Sequence, residues 1–224
     1  MELRRLFPDP ATTTVDEAAS GLGFSERAPA DRPFIAVNMV SSADGKATLA
    51  GRTAPMSAPV DRELFHHLRA QADGILVGAG TVRIEGYGRV TKTDELQAKR
   101  EREGLRPDAV CVIVTRSGDL GDDSPLLKQD PGSVRLIDNP KTGLAELRAA
   151  GIRSLLCEGG PHLNATLFDE GLVDELFLTI APTVAGAGES LTIVEGHALP
   201  EAVDLELLTA HEADGHLFLR YRVS

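Results

Sequence analysis

The chain has 224 residues, 42% of them hydrophobic and 25% charged, with a formal net charge of −11. This suffices for one large domain with an ample core, or two small ones, in an ordinary globular protein. The acidic balance argues against a general nucleic-acid or anionic-membrane surface, although an anionic ligand needs only a local positive field. No apolar run approaches the roughly 20 residues of a membrane helix. The start, MELRRLFPDP, lacks a secretory apolar core, so a cytoplasmic location is expected. Cys111 and Cys157 lie in separate apolar runs without paired spacing, which indicates buried thiols rather than a disulfide or metal site.

Residues 1–32 are rich in Pro, Ala, Thr and acidic groups. They are expected to form an extended N-terminal arm with a short helix near 15–22, ahead of a single domain over 33–224. FIAVNMVSS (34–42) reads as a strand turned by Ala43-Asp44-Gly45-Lys46. Ser57 is placed to cap a helix with Pro59 in its first turn and an apolar stripe of Leu64, Phe65 and Leu68. GILVGAG (74–80) reads as a buried strand opening into Thr81-Val82. Residues 92–107 are charged on nearly every side and are expected to be a solvated helix or loop. AVCVIVT (109–115) and SVRLID (133–138) are further buried strands, followed by a helix over 142–150 that ends at Gly151.

Residues 152–172 carry the most information. An apolar run ends in Glu158, breaks at Gly159-Gly160-Pro161 and resumes at helical spacing with Leu163, Leu167 and Phe168. That is strand, glycine turn, helix, a turn whose backbone N–H groups can approach a phosphate. VDELFLTIAP (173–182) is another strand. DLELLTAH (204–211) and HLFLRYRV (216–223) form a β-hairpin across Glu212-Ala213-Asp214-Gly215. Alternating strands and helices imply an α/β fold: a mainly parallel sheet with helices on both faces and a closing antiparallel hairpin.

Ligands of such sheets bind beyond the strand ends, and four turns qualify there: Ser41 to Lys46, Gly78 to Val82, Thr115 to Gly118 and Glu158 to Pro161. Each alone is an ordinary turn of small or hydroxylated residues. Together, with Lys46 and Arg116 as cations, they suit a long, multiply anionic ligand lying across the sheet edge. Arg116 would suit a ribose 2′-phosphate, and hence NADP over NAD. Adjacent His66 and His67 face different directions and cannot chelate together; His211 and His216 flank the hairpin. No metal site is expected, and zinc-deaminase, nucleophile-elbow and phosphate-loop signatures are absent.

Ser42-Ala43-Asp44-Gly45-Lys46, Leu68-Arg69-Ala70-Gln71-Ala72-Asp73, Gly80-Thr81-Val82 and Glu158-Gly159-Gly160-Pro161-His162-Leu163 occur in order and at family-like spacing. In combination they resemble the reductase domain of the bifunctional riboflavin-biosynthesis deaminase/reductase, over about residues 33–223. Stretches such as those around Gly51-Arg52-Thr53 and Gly78 to Gly88 look like stand-alone pyrimidine reductases. The resemblance implies a dihydrofolate-reductase-like fold and an NADPH-dependent reduction of the ribosyl group of 5-amino-6-(5-phosphoribosylamino)uracil to ribityl. It implies cofactor contacts from Thr81, Glu85, Arg116, Gly159, Gly160, Pro161, His162, Leu163 and Asn164, extending to Thr166. Substrate contacts fall on Ser42, Thr53, Arg69, Arg89 and Glu158, with Glu158 on the pyrimidine and Arg69 near the phosphate. Asp44, Lys46 and Glu158 are the candidates for catalytic work.

One segment departs from the family. After Gly-Thr-Val the pattern x-x-Asp-x-Pro-x-Leu is replaced by Arg83-Ile84-Glu85-Gly86-Tyr87-Gly88-Arg89, which exchanges the proline for tyrosine and the leucine for arginine. This leaves two other readings: a reductase of another N-heterocycle such as a dihydropterin, and an idle nucleotide-binding protein or scaffold. The apolar tail and edge strands lead to the expectation of a homodimer.

Overall fold

The structure is a computed structural model. It describes residues 1–49, 52–91, 93–121, 125–128, 131–186, 188, 190–196 and 198–224. Gly51 and Lys92, which fall in segments read above, lie outside these residues.

The core strand β3 spans Phe34–Ser42, as expected, because Phe34, Ile35, Ala36 and Val37 are buried on both faces. The short Val/Ile/Leu runs form the flanking strands β4 (Gly74–Gly78), β5 (Val110–Val114) and β7 (Ser154–Cys157). Strands this apolar must be covered on both sides, which favours parallel pairing with helical crossovers. β3 pairs in parallel with β7 and with β8 (Glu175–Ala181), β4 joins β7 and β5, and β6 (Val134–Ile137) closes that end. β9 (Leu205–Ala213) and β10 (His216–Val223) add antiparallel strands beyond β8. Helices α2 (Pro59–Arg69) and α3 (Ala79–Glu85) pack on one face through Leu64, Leu68 and Val82. Helices α5 (Pro140–Ala149) and α6 (Pro161–Asp169) pack on the other through Leu144, Leu147, Leu163 and Leu167. The mainly parallel sheet with helices on both faces and a C-terminal hairpin is therefore present.

The N-terminal segment is not a plain arm. β1 (Glu2–Phe7) and β2 (Ala11–Thr14) form a hairpin, and β1 pairs with β9, giving a 10-stranded sheet in the order β2-β1-β9-β10-β8-β3-β7-β4-β5-β6. Only Leu3 of β1 is buried, so no period-2 signal marks the strand in sequence. The short helix is α1 (Val15–Ala18), with a capping box between Thr14 and Glu17. The closing hairpin consequently lies inside the sheet rather than at its edge. Its turn is the two residues Asp214 (φ 50°) and Gly215 (φ 77°), shorter than the four expected.

Other boundaries moved for identifiable reasons. Ala58, not Ser57, precedes α2, and the Ser57 hydroxyl donates to Asp61 instead. α5 begins at Pro140 behind the Asn139 cap rather than at Thr142. β6 is an edge strand with Arg135 and Leu136 exposed. The charged segment does form a helix, α4 (Asp94–Arg102), but it is not simply solvated, since Arg100 is 0% exposed. Arg100 donates to the carbonyl oxygens of Arg69, Ala72, Asp73 and Arg106. A guanidinium thus satisfies carbonyls that the end of α2 leaves open, and it fixes the turn that carries Arg69. Burial lowers the Arg100 pKa to about 10.

Candidate active site

The C-terminal ends of β3, β4, β5 and β7 open into a cleft of two chambers. The larger, about 1020 Å³, runs from Gly78–Thr81 across Thr115–Ser117 to Asp138, with Gly160–Leu163 along one side. The smaller, about 360 Å³, lies between α2 and the 85–89 segment. Met39, Thr53, Thr81, Glu85 and Glu158 line both. The chambers therefore share a wall, and molecules held in each would meet there. Both volumes suit small-molecule ligands.

Glu158 follows β7 directly, so the residue just past a buried strand delivers a carboxylate to the shared wall. Arg69, the last residue of α2, meets it side-on: Nε donates to Oε1 and Nη2 to Oε2, both at 2.7 Å. The side chains are 8% and 3% exposed. Tyr87 donates its hydroxyl to Oε2 at 2.5 Å. The Arg69 guanidinium also stacks on Phe65 at 4.1 Å and faces Tyr87 at 5.7 Å. Burial works to lower the Arg69 pKa, but the Glu158 carboxylate more than offsets it and holds the guanidinium above its ordinary value. Burial, and then the negative charge of Glu158, push the Tyr87 phenol well above its ordinary value, so the hydroxyl stays a donor. Arg69 and Glu158 thus form a neutral, rigid ion pair with one tyrosine bonded to it. Each carboxylate oxygen offers two acceptor directions; Oε2 is doubly occupied, and Oε1 keeps one direction open.

The larger chamber is built from backbone. α6 starts at Pro161 behind the N-cap Gly160, with no side-chain cap, so its first N–H groups remain available, the usual condition for holding an anion. Gly159 has φ 79°, a conformation suited to glycine. A Cβ on Gly160 would stand 2.8 Å from Thr81 Oγ1, so the chain approaches α3 more closely there than any side chain allows. Arg116 and Arg83 line the same chamber, and neither has a carboxylate partner among the described residues.

A family model described as the RibD C-terminal domain matches residues 33–218. The chain belongs to that family. Among relatives, it is 28% identical over 214 residues to the 2,5-diamino-6-ribosylamino-4(3H)-pyrimidinone 5′-phosphate reductase of Methanothermobacter thermautotrophicus, covering 86% of this chain and 99% of the other. It is 25% identical over 201 residues to the protein of the same name from Archaeoglobus fulgidus, covering 78% and 92%. The fold is shared with a pyrimidine reductase-like protein from Corynebacterium diphtheriae, at TM-score 0.76 and 23% identity, covering 95% of this chain and 99% of that one.

Within this RibD C-terminal domain the expected residues separate into two groups. Thr53, Arg69, Thr81, Glu85, Arg89, Arg116, Gly160, Pro161, His162, Leu163, Thr166 and Glu158 all line the cleft. Ser42, Asp44, Lys46, Gly159 and Asn164 line neither chamber. Asn164 is 0% exposed and donates to the Ile193 carbonyl at 2.8 Å, which anchors the 190–196 loop. Asp44 accepts from the Ser42 hydroxyl at 2.6 Å and from the Ala185 and Gly186 amides at 2.9 and 2.8 Å. These donors hold its carboxyl down at about 2. Lys46 bridges to Thr192. This turn secures the loops that border the cleft rather than entering it. The sequence does not single out Asn38, Arg62 or the functional use of Phe65, and it marks Tyr87 only as a departure from the family pattern. A signal did exist: Arg62, Phe65, His66 and Arg69 repeat at helical spacing, so one face of α2 carries them all.

Proposed function

We propose that this RibD C-terminal domain protein is a nicotinamide-dependent reductase of a phosphorylated ribosylaminopyrimidine, with 5-amino-6-(5-phosphoribosylamino)uracil as substrate and NADPH as cofactor. The shared wall between the chambers carries the reading, because a hydride must pass directly between two stacked groups. The names of the relatives support a reductase acting on a phosphorylated pyrimidine of this type. The donors of the larger chamber fit a dinucleotide: uncapped backbone N–H groups at α6 for a pyrophosphate, and Gly160, where no Cβ intervenes. Arg116, without a carboxylate partner among the described residues, supports a 2′-phosphate and therefore NADPH.

When bound, the nicotinamide supplies the hydride. The carbon of the opened, imine-like C1′–N group gains that hydride and its nitrogen gains a proton, which gives the ribityl amine. On this reading the chain orients both partners. Glu158, immobilised by Arg69 and Tyr87, offers the open acceptor direction of Oε1 to a ring N–H of the pyrimidine. Thr81 and Gly160 set the depth of the cofactor, and Met39 shields the meeting point from water. A homodimer remains part of the proposal.

The test offers NADPH and NADH to the purified protein with the deaminated pyrimidine, its 2,5-diamino counterpart and dihydrofolate, following nicotinamide absorbance. The expected result is oxidation of NADPH with the deaminated compound. Oxidation with dihydrofolate alone would move the substrate to the pterins, and oxidation with none would refute a reductase.

A further inference from the structure

Lys99 stands on α4 with only 8% of its side chain exposed, and all three of its donors are used. An ammonium has three N–H groups and no acceptor. They go to Asp16 Oδ1 at 2.6 Å, Ser20 Oγ at 3.0 Å and His67 Nδ1 at 3.2 Å. Ser20 donates its own hydrogen to the Asp16 carbonyl, so toward Lys99 it can only accept. His67 Nδ1 must accept as well, which fixes the ring as the neutral tautomer with its hydrogen on Nε2. Asp16 lies on α1, Ser20 just beyond it, and His67 on α2. Asp16 and Ser20 precede the residues 33–218 that match the family model, whereas His67 and Lys99 lie within them. One ammonium therefore ties the N-terminal segment to the reductase-family domain.

A proton on His67 is incompatible with this arrangement. An imidazolium has no acceptor, so Lys99 would lose its third partner and meet a second positive charge 3.2 Å away. Three charged groups face the ring. From α1, Asp16 Oδ1 lies 3.2 Å from Nδ1. From the preceding turn of α2 comes Glu63, whose carboxylate is already taken by the Met1 amine at 2.7 Å. From α4 comes Lys99. The Asp16 side chain is 64% exposed, and Lys99 holds its carboxyl below the ordinary range. It stays ionised but offers an imidazolium only a solvated, shared partner. Burial, and then the charge of Lys99, lower the His67 pKa from its ordinary 6.5, with Asp16 and Glu63 working against them.

We propose that Lys99 and His67 form an acid-released clasp between the N-terminal segment and helices α2 and α4. The neutral ring is the form the fold accepts, so the clasp is complete above the ordinary imidazole value and is lost as pH falls through the lowered one. Release is graded, because Val15 and Ala19 of the same segment are 0% exposed and stay in the core. Arg100, the next residue of α4, holds the end of α2 through the carbonyls of Arg69 and Ala72. That guanidinium keeps its charge as His67 titrates, so α2 keeps its place while α1 loosens. The clasp is independent of which ligand the cleft holds.

Amide exchange at Val15, Ala19 and Ser20 reports the docking, since these N–H groups bond to the carbonyls of Met1, Val15 and Glu17. Exchange is measured on the full chain at about pH 7.5 and about pH 5, either side of the ordinary imidazole range, and corrected for its intrinsic pH dependence. Wild-type protection should fall by roughly 3- to 10-fold at the lower pH, the effect of losing one ordinary hydrogen bond. His67→Asn keeps an amide oxygen near the place of Nδ1 and does not titrate, so its protection should agree at the two pH values within about twofold. Lys99→Met keeps the packing of the stem without the ammonium; its protection should be below that of wild type at the higher pH and independent of pH. Protection in wild type that does not change with pH, or the same change in all three proteins, overturns the proposal. Proton NMR of the ring, assigned through His67→Asn, supplies a second readout. His67 should titrate below its ordinary value in wild type and move upward in Lys99→Met. Titration at or above the ordinary value, or no movement when Lys99 is removed, overturns it as well.

Discussion

Replacing Glu158 by glutamine tests whether this carboxylate is first of all the counter-ion of Arg69. The variant keeps the size of the side chain but removes its charge, and Arg69 stays ionised with only 8% of its side chain exposed. A glutamine carbonyl can accept one of the two 2.7 Å bonds, while its amide nitrogen is set against a guanidinium N–H. Breaking one side of a buried pair costs about 3–5 kcal/mol, a large share of the ~5–15 kcal/mol that holds a typical domain folded. Arg69→Gln should cost a similar amount, moderated because Tyr87 still donates to the carboxylate. The double variant removes both charges and lets two amides bond to each other. Its cost should fall short of the sum of the single costs by at least ~2 kcal/mol. The chain has no tryptophan, so urea unfolding is best followed by far-UV circular dichroism, with equal slopes for all four proteins. Single costs below ~1 kcal/mol, or additivity within ~0.5 kcal/mol, would refute the account of the wall as a buried, mutually dependent pair.

Two further outcomes are expected. Gly160→Ala sets a Cβ 2.8 Å from Thr81 Oγ1, and overpacking of this kind costs ~1–3 kcal/mol. NADPH should bind about tenfold more weakly by fluorescence titration, and Thr81→Ala in the same chain should recover part of the loss; an unchanged Kd in the single variant contradicts the close approach. Asp44 concerns pH: the Ser42 hydroxyl, then the Ala185 and Gly186 amides, hold its carboxyl at about 2 against an ordinary 3.8. A depressed folded pKa means the anchor is complete above pH 3.8 and is lost as pH falls toward 2. Amide exchange at Ala185 and Gly186 should accelerate over that window, and Asp44→Asn should show the fast exchange at pH 7; slow exchange in that variant would rule out the anchor.

The architecture was legible where burial wrote a period into the chain. β3, β4, β5 and β7 are continuous apolar runs, and α6 has its apolar stripe between a glycine turn and Gly171. β1 and Arg100 were not legible, for one shared reason. Their partners are backbone groups: β1 is held by pairing with β9, and Arg100 by carbonyls around the end of α2. Neither needs an apolar side chain, so neither leaves a pattern. The candidate site divides in the same manner. Glu158, Thr81 and Gly160 reach the cleft because strand ends and glycine turns deliver them. Ser42, Asp44 and Lys46 sit on an equally polar strand-end turn, but the 183–186 and 190–196 loops pack against that turn and consume its hydrogen bonds.

Tyr87 shows how a departure from the family pattern can be consistent with the site. A proline at that position has no hydroxyl, so Glu158 would lose its third hydrogen bond. Here Tyr87 supplies that donor, and its ring faces the Arg69 guanidinium at 5.7 Å, alongside the Phe65 ring at 4.1 Å. The result is charge balance within the Arg69–Glu158 pair. In a chain of net charge −11 an anion needs a local positive field, and Arg62 and Arg116, which have no carboxylate partner among the described residues, supply one in the smaller and larger chambers. On the proposed function, hydride transfer needs planar groups held close at the meeting point, where Arg69 is already paired with Glu158. An arginine left unpaired at residue 69 would put a bare, buried cation in the smaller chamber. The Glu158 carboxylate, fixed by Arg69 and Tyr87, neutralises that cation and, among the described residues, keeps one acceptor direction of Oε1 open for a ligand N–H.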